Sequence, residues 1–116
     1  MSHESIRLKN QLCHPLYSAT NALMRAYKPL LEPLKVTYPQ YLILMALWDS
    51  DEINIKEISD RTYFDSGTLT PLINKLKTQG LVTIKPMPSD KRNKIIALTP
   101  KGKRLQEKAE SIPKEL

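Results

Sequence analysis

Over the first eighty residues the apolar positions recur at helical spacing, and beyond them the period shortens to that of strands. Leu16, Leu23, Met24, Tyr27, Leu30 and Leu31 share one face, which predicts a long first helix over about residues 12–31. Pro15 must lie near its start, because deeper in a helix it would remove a ladder bond and clash with the preceding turn. Pro29 and Pro33 fray or end it. Thr37 and Gln40 have capping-box spacing, Pro39 suits a first turn, and residues 41–48 form the apolar body of a second helix. Asn54 and Glu57 repeat that spacing, with Ile53 and Ile58 placed as a hydrophobic staple around a third helix whose short core face is Ile55 and Ile58. In a fourth, Leu69, Leu72, Ile73 and Leu76 form an apolar stripe, Asp65 or Ser66 caps the start, and Gly80 suits a left-handed stop. Pro71 implies an irregular first turn there, or a start nearer Thr68. Residues 81–84 then read as a strand, 86–94 as a charged turn too long for a tight hairpin, and 95–98 as the returning strand. Thr99 and Pro100 cap a last helix beginning at Lys101.

Two short helices joined by a brief turn and followed by a β-hairpin are the element order of a winged helix-turn-helix. The expected fold class is therefore mostly α with a small β-hairpin wing. Charge adds to this. The net charge is +6, yet residues 75–104 hold nine basic side chains against one acid, Asp90. That stretch carries +8 and the remainder −2, so a polyanion is attracted to one part of the chain. A solvated lysine-rich surface would give the same count, and the element order is what favours nucleic acid.

A helix about 10–12 Å wide fits a DNA major groove about 12 Å wide. One face of the fourth helix is apolar, for docking on the domain. The other carries Ser66, Gly67, Thr68, Thr70, Asn74, Lys75 and Lys77, small or polar groups that let the backbone approach DNA. Hydroxyls there can bond base edges or phosphates, and lysines can pair with phosphates. Arg92, near the tip of the hairpin, suits the negative potential of a minor groove.

Other classes are narrowed by composition. The longest apolar run, residues 41–48, is eight residues, against roughly 20 for a membrane-spanning helix. The charged N-terminal ten residues lack an apolar signal core, so a cytoplasmic protein with no membrane partner is expected. The single cysteine, Cys13, excludes an intrachain disulfide and either packs quietly or reacts. His3, Cys13 and His14 form no closed ligand set, and neither a metal nor another cofactor is expected.

Three runs, 10–13 with 16–18, 34–41 and 65–72, resemble organic hydroperoxide regulators of the MarR family. The wing residues Ser89, Asp90, Lys91 and Arg92, leading to Ala97, Leu98, Thr99 and Gly102, match the broader MarR pattern. The resemblance runs from about Leu8 to Gly102. It implies a homodimeric repressor that leaves its DNA operator when Cys13 is oxidised by an organic hydroperoxide. It places Tyr27 and Tyr38 of a partner subunit on the thiol, with Tyr17 one turn along from it. DNA contacts fall on Asp65, Ser66, Thr68, Lys75, Lys91 and Arg92, and Asp90 braces the wing by pairing with an arginine. It divides one domain, 1–116, into a dimerisation helix over about 8–34, a helix-turn-helix over 54–80, a wing over 81–99 and the start of a C-terminal helical region over 100–116. The family's final dimerisation helix is expected to be absent from this chain. With no resolving cysteine in these residues, a low-molecular-weight thiol would complete a one-cysteine sensor. His14-Pro15 replaces an apolar pair of the family, which could kink the first helix. Thr62 replaces a large aliphatic, which predicts looser packing.

The chemistry fits the residue types. An ordinary thiol has a pKa near 8.5, lowered by a helix N-terminus and by phenol donors, and its anion attacks peroxide oxygen. Two other readings compete: a MarR-type repressor controlled by a small aromatic ligand, and a one-cysteine peroxidase. The second lacks a catalytic partner for Cys13 other than tyrosines.

Overall fold

The computed structural model describes residues 3–87 and 89–112; the side chains of Asn10, Asp90, Lys91 and Arg92 lie outside the described residues. Five helices and three strands follow in the order α1 (Cys13–Leu31), α2 (Tyr38–Asp49), β1 (Ile53–Asn54), α3 (Ile55–Thr62), α4 (Ser66–Thr78), β2 (Val82–Met87), β3 (Asp90–Leu98) and α5 (Pro100–Ala109).

The local signals act as expected at most helix ends. At Thr37 the capping box is complete, its side chain and that of Gln40 each taking a backbone N–H of the other. The Asn54 side chain accepts from Glu57 N–H at 2.8 Å to start α3. Gly80 holds φ +77, with its N–H on the Lys77 carbonyl and that of Leu81 on Leu76. These are the two bonds of a Schellman stop. Thr62 takes over locally where a large aliphatic is missing: its hydroxyl donates to the Ile58 carbonyl at 2.7 Å and accepts from Phe64 N–H.

Both helix-interior prolines depart from expectation. Pro29 lies inside α1, which runs on to Leu31 before a 3₁₀ turn, Glu32–Leu34, that contains Pro33. Pro71 lies inside an α4 that begins at Ser66 without an irregular first turn. Each proline is exposed, and so is the residue four before it, Arg25 or Gly67. Water can therefore take the carbonyl that loses its donor. Pro15 is the third residue of α1, where no ladder bond is lost.

The hairpin is longer than its sequence suggests. Most of the predicted turn over 86–94 is strand, with pairing that jumps from Pro86↔Lys94 to Met87↔Asp90. The extra β3 residues, 91–93, are a bulge. The sheet order is β1-β3-β2, so Pro86 sits on an edge strand, where a missing N–H is tolerated. The two-residue strand β1, unforeseen, pairs Ile53 with Ile96 and Asn54 with Ile95.

Ile43, Leu44 and Leu47 of α2 are fully buried at the centre, against Ile58, Leu69, Ile73, Leu76, Val82 and Ile96. Only the C-terminal end of α1 joins this core, through Leu31. Its N-terminal half leaves the body, and the molecule measures 62 × 35 × 21 Å.

Candidate nucleic-acid interface and thiol site

The buried stripe of α4 is Leu69, Ile73 and Leu76, which turns Ser66, Gly67, Thr68, Thr70, Asn74, Lys75 and Lys77 to solvent. This is the face the helical period assigns to DNA. Asp65 belongs to the fold as well: its carboxylate caps α4, accepting from Thr68 N–H at 2.8 Å. Hydrogen bonds from the Thr68 side chain and then its N–H hold the Asp65 carboxyl below the ordinary aspartate range. Ahead of the cap, the Ser59 hydroxyl donates to the Phe64 carbonyl at 2.5 Å and fixes the turn between α3 and α4.

The wing, β2 with β3, follows α4 directly in the chain. Asp90 falls on β3 next to the bulge and Lys91 and Arg92 within it, and their side chains lie outside the described residues. The brace predicted for Asp90 and the groove contacts predicted for Lys91 and Arg92 therefore have no side-chain geometry to set beside them.

Cys13 is the first residue of α1 and is exposed, as is Tyr17 one turn later. The other two predicted sensor residues lie together at the far end of the helix. The rings of Tyr27 and Tyr38 have centroids 4.8 Å apart and help line a cavity of about 380 Å³ with Met24, Leu31, Val36 and Pro39. Burial and then the neighbouring Tyr38 push the Tyr27 phenol above its usual pKa, so it stays a neutral O–H donor. The cluster is larger than predicted. Tyr41 lies 6.1 Å from Tyr27 and Trp48 another 6.1 Å from Tyr41. Both read as core residues in the sequence; Tyr41 is buried, and Trp48 packs half-buried against the core.

The thiol and the tyrosine pair do not meet within one chain. Fourteen helical residues at 1.5 Å each put Cys13 about 21 Å from Tyr27 along α1. Along that span Leu16 is 62% exposed and Leu23 44% exposed, so among the described residues the thiol end of the helix is left uncovered.

Comparison with known proteins bears on both sites. The sequence model described as MarR family matches residues 36–94. The organic hydroperoxide resistance transcriptional regulator of Bacillus subtilis is 44% identical over 110 residues, covering 95% of this chain and 75% of that protein. Among solved structures, overoxidized AbfR bound to DNA superposes with a TM-score of 0.88 at 36% identity, covering 100% of this chain and 86% of that one. Reduced AbfR bound to DNA gives 0.87 at 36% identity, covering 100% and 82%. AbfR is a protein of Staphylococcus epidermidis. No described helix is long and apolar enough to cross a membrane.

Proposed function

The chain belongs to the MarR family of winged helix-turn-helix regulators, and on that premise we propose that it is a homodimeric repressor, released from its operator when organic hydroperoxide oxidises Cys13. One observation carries the sensing half of this reading. An exposed thiol and a paired-tyrosine pocket lie at opposite ends of one helix, about 21 Å apart. The exposed apolar residues between them favour a second copy, whose α1 would run alongside and bring its Tyr27 and Tyr38 to Cys13. Residues 8–34 then serve as the dimerisation helix, 54–80 as the helix-turn-helix, 81–99 as the wing and 100–116 as the start of the C-terminal helical region.

The thiolate sulfur of Cys13 attacks one peroxide oxygen. An S–O bond forms, the O–O bond breaks, and the departing alkoxide takes up a proton as an alcohol. The thiol is oxidised to sulfenic acid and the hydroperoxide is reduced. A small thiol can condense with the sulfenic acid, releasing water and leaving a mixed disulfide. Each event consumes the sensor's own thiol, which is signalling rather than turnover. The larger product, bonded differently, displaces the tyrosines that had donated to the anion.

On DNA, Ser66 and Thr68 face base edges, while Lys75 and Lys91 neutralise phosphates. Arg92 enters the minor groove, steadied by Asp90, and Asp65 sets the first turn of the reading helix. Such a protein works in the cytoplasm, on double-stranded DNA.

The test is a binding titration against a duplex that the reduced protein selects from a random pool, before and after cumene hydroperoxide, with the intact mass followed. Release should accompany the gain of one oxygen at Cys13, and Cys13→Ser should bind but not release. Release that persists in Cys13→Ser would instead favour an aromatic effector. The apolar cavity at Tyr27 and Tyr38 is the observation that keeps that second reading open.

A further inference from the structure

Among the described residues, Gln40 is the buried polar side chain of the core, 3% exposed. A buried amide is tolerated where its donor and acceptor are both engaged. Its Oε1 accepts from Thr37 N–H at 2.9 Å, and its Nε2 donates to Gln79 Oε1 at 3.2 Å. The Gln79 Nε2 in turn donates to the Lys35 carbonyl at 2.7 Å. Lys35 holds φ +59, a left-handed turn that delivers the chain from α1 into α2. Two amides thus tie residues 35–40, which contain Tyr38, to the C-cap of α4.

The same end of α4 is fastened to α5. Lys101 Nζ donates to the Gln79 carbonyl at 3.0 Å, and the Thr99 hydroxyl to the Gly80 carbonyl at 2.6 Å. Among the described residues, side-chain bonds at the opposite end stay within the helix's own first turn and the turn that joins it to α3. Buried Leu69, Ile73 and Leu76 seat α4 along its length, while its polar ties to α2 and α5 gather at the Gln79 end, so a pull there tilts the whole helix on its apolar seat. The 13 residues of α4 span about 20 Å, so a tilt of about 5° at Gln79 moves Ser66 by about 2 Å. That displacement is enough to break a hydrogen bond to a base edge.

We propose that Gln40 and Gln79 are positioning residues that couple the Tyr38 end of α2 to the angle of α4 on DNA. The inference rests on the function proposed above. It adds a route by which a change at the tyrosines reaches Ser66 and Thr68, through the core of one subunit. Displacing Tyr38 shifts the first turn of α2, Gln40 moves with that turn, and Gln79 is pulled by its amide and by Lys35.

The variants are Gln79→Met and the pair Gln40→Met with Gln79→Met, which removes both amides and leaves neither without its partner. The readout is the ratio of DNA affinity between reduced and hydroperoxide-treated protein, on the selected duplex. In both variants reduced protein should still bind, while the ratio falls by about tenfold, within the usual range of coupling between sites. An unchanged ratio in either folded variant overturns the proposal, because a merely structural amide pair would lower stability and leave the ratio alone. A wild-type protein that never releases DNA on oxidation sinks the sensing function instead. The coupling is then read by amide hydrogen exchange, which needs neither oxidant nor DNA. Tyr38→Ala should speed exchange in the last turn of α4 in the wild-type background and not in the Gln79→Met background. Equal acceleration in both backgrounds overturns it.

Discussion

At Asp65 one carboxylate caps a helix and, in the function proposed above, also stands at the interface. It caps α4 through Thr68, and it stands at the end of the helix offered to DNA phosphates. Its hydrogen bonds exist only for the charged form at full strength, which is why the carboxyl is held below the ordinary value of 3.8. A group whose pKa is lowered on folding adds stability above its unfolded pKa and loses it as pH falls through the folded value. The window is therefore acidic, below about pH 4. Asp65→Asn keeps an acceptor for the cap and discards the charge. At pH 7 the variant should melt below wild type, and the gap should close as the pH is taken from 5 to 3. A gap that stays constant over that range would show that the charge contributes nothing to the cap. If Asp65 faces phosphate as proposed, Asn removes a repulsive charge there, and DNA affinity at neutral pH should not fall with stability.

The elements were legible in the sequence wherever the signal was local, and the junction before α5 shows where it was not. Thr99 caps α5 at Gly102 N–H, 3.0 Å away, as the residue order predicts. Nothing in the order tells that Gly102 packs so tightly on Leu81, just ahead of β2, that a Cβ would run into the Leu81 carbonyl and press on Leu98. Leu81's carbonyl is held by Thr99 N–H at 3.0 Å, and Gly102's own carbonyl accepts from Trp48 Nε1 at 3.0 Å, so neither backbone can retreat freely. Helix propensity favours Ala over Gly by about 1 kcal/mol. Overpacking against fixed backbone costs about 1–3 kcal/mol, and here it wins. Gly102→Ala should lower the denaturation midpoint and shift the emission of Trp48, the single tryptophan; a stabilised variant would show that α5 can slide. The other elements missed in the sequence share this non-local origin. β1 is two residues whose pairing partners lie some forty positions away. The strands of the wing lengthened because an edge position excuses Pro86, and Gln40 bonds Gln79 across 39 residues. The outward face of α4 needed only its period and was read correctly. Cys13 needed more, since the tyrosine neighbours proposed for it come from a second subunit.

At the scale of the molecule, shape and charge divide the work. A compact chain of this length has a radius of gyration of about 13 Å, whereas this one has 17.6 Å. Away from the core, α1 and the residues ahead of it carry Ile6, Leu8, Leu12, Leu16, Tyr17 and Leu23 into solvent. Burying such side chains is worth about 1.5–3 kcal/mol each when complete, so a set of this size can support association. The basic residues 75–104 lie elsewhere in the fold, on α4, the wing and α5, which leaves an apolar arm free to pair while the body meets DNA. Leu16→Glu with Leu23→Glu tests this without touching the core, because both side chains are exposed in the single chain. Sedimentation should show a monomer where wild type is a dimer, with the melting of the body little changed. DNA binding should weaken, since two recognition helices no longer arrive together, and what remains should keep a steep salt dependence from its basic surface. The decisive reading is the thiol. Separated from a partner's Tyr27 and Tyr38, Cys13 in the variant should react with cumene hydroperoxide more slowly than in wild type. A monomeric variant that oxidises at the wild-type rate would show that the tyrosines do not activate the thiol.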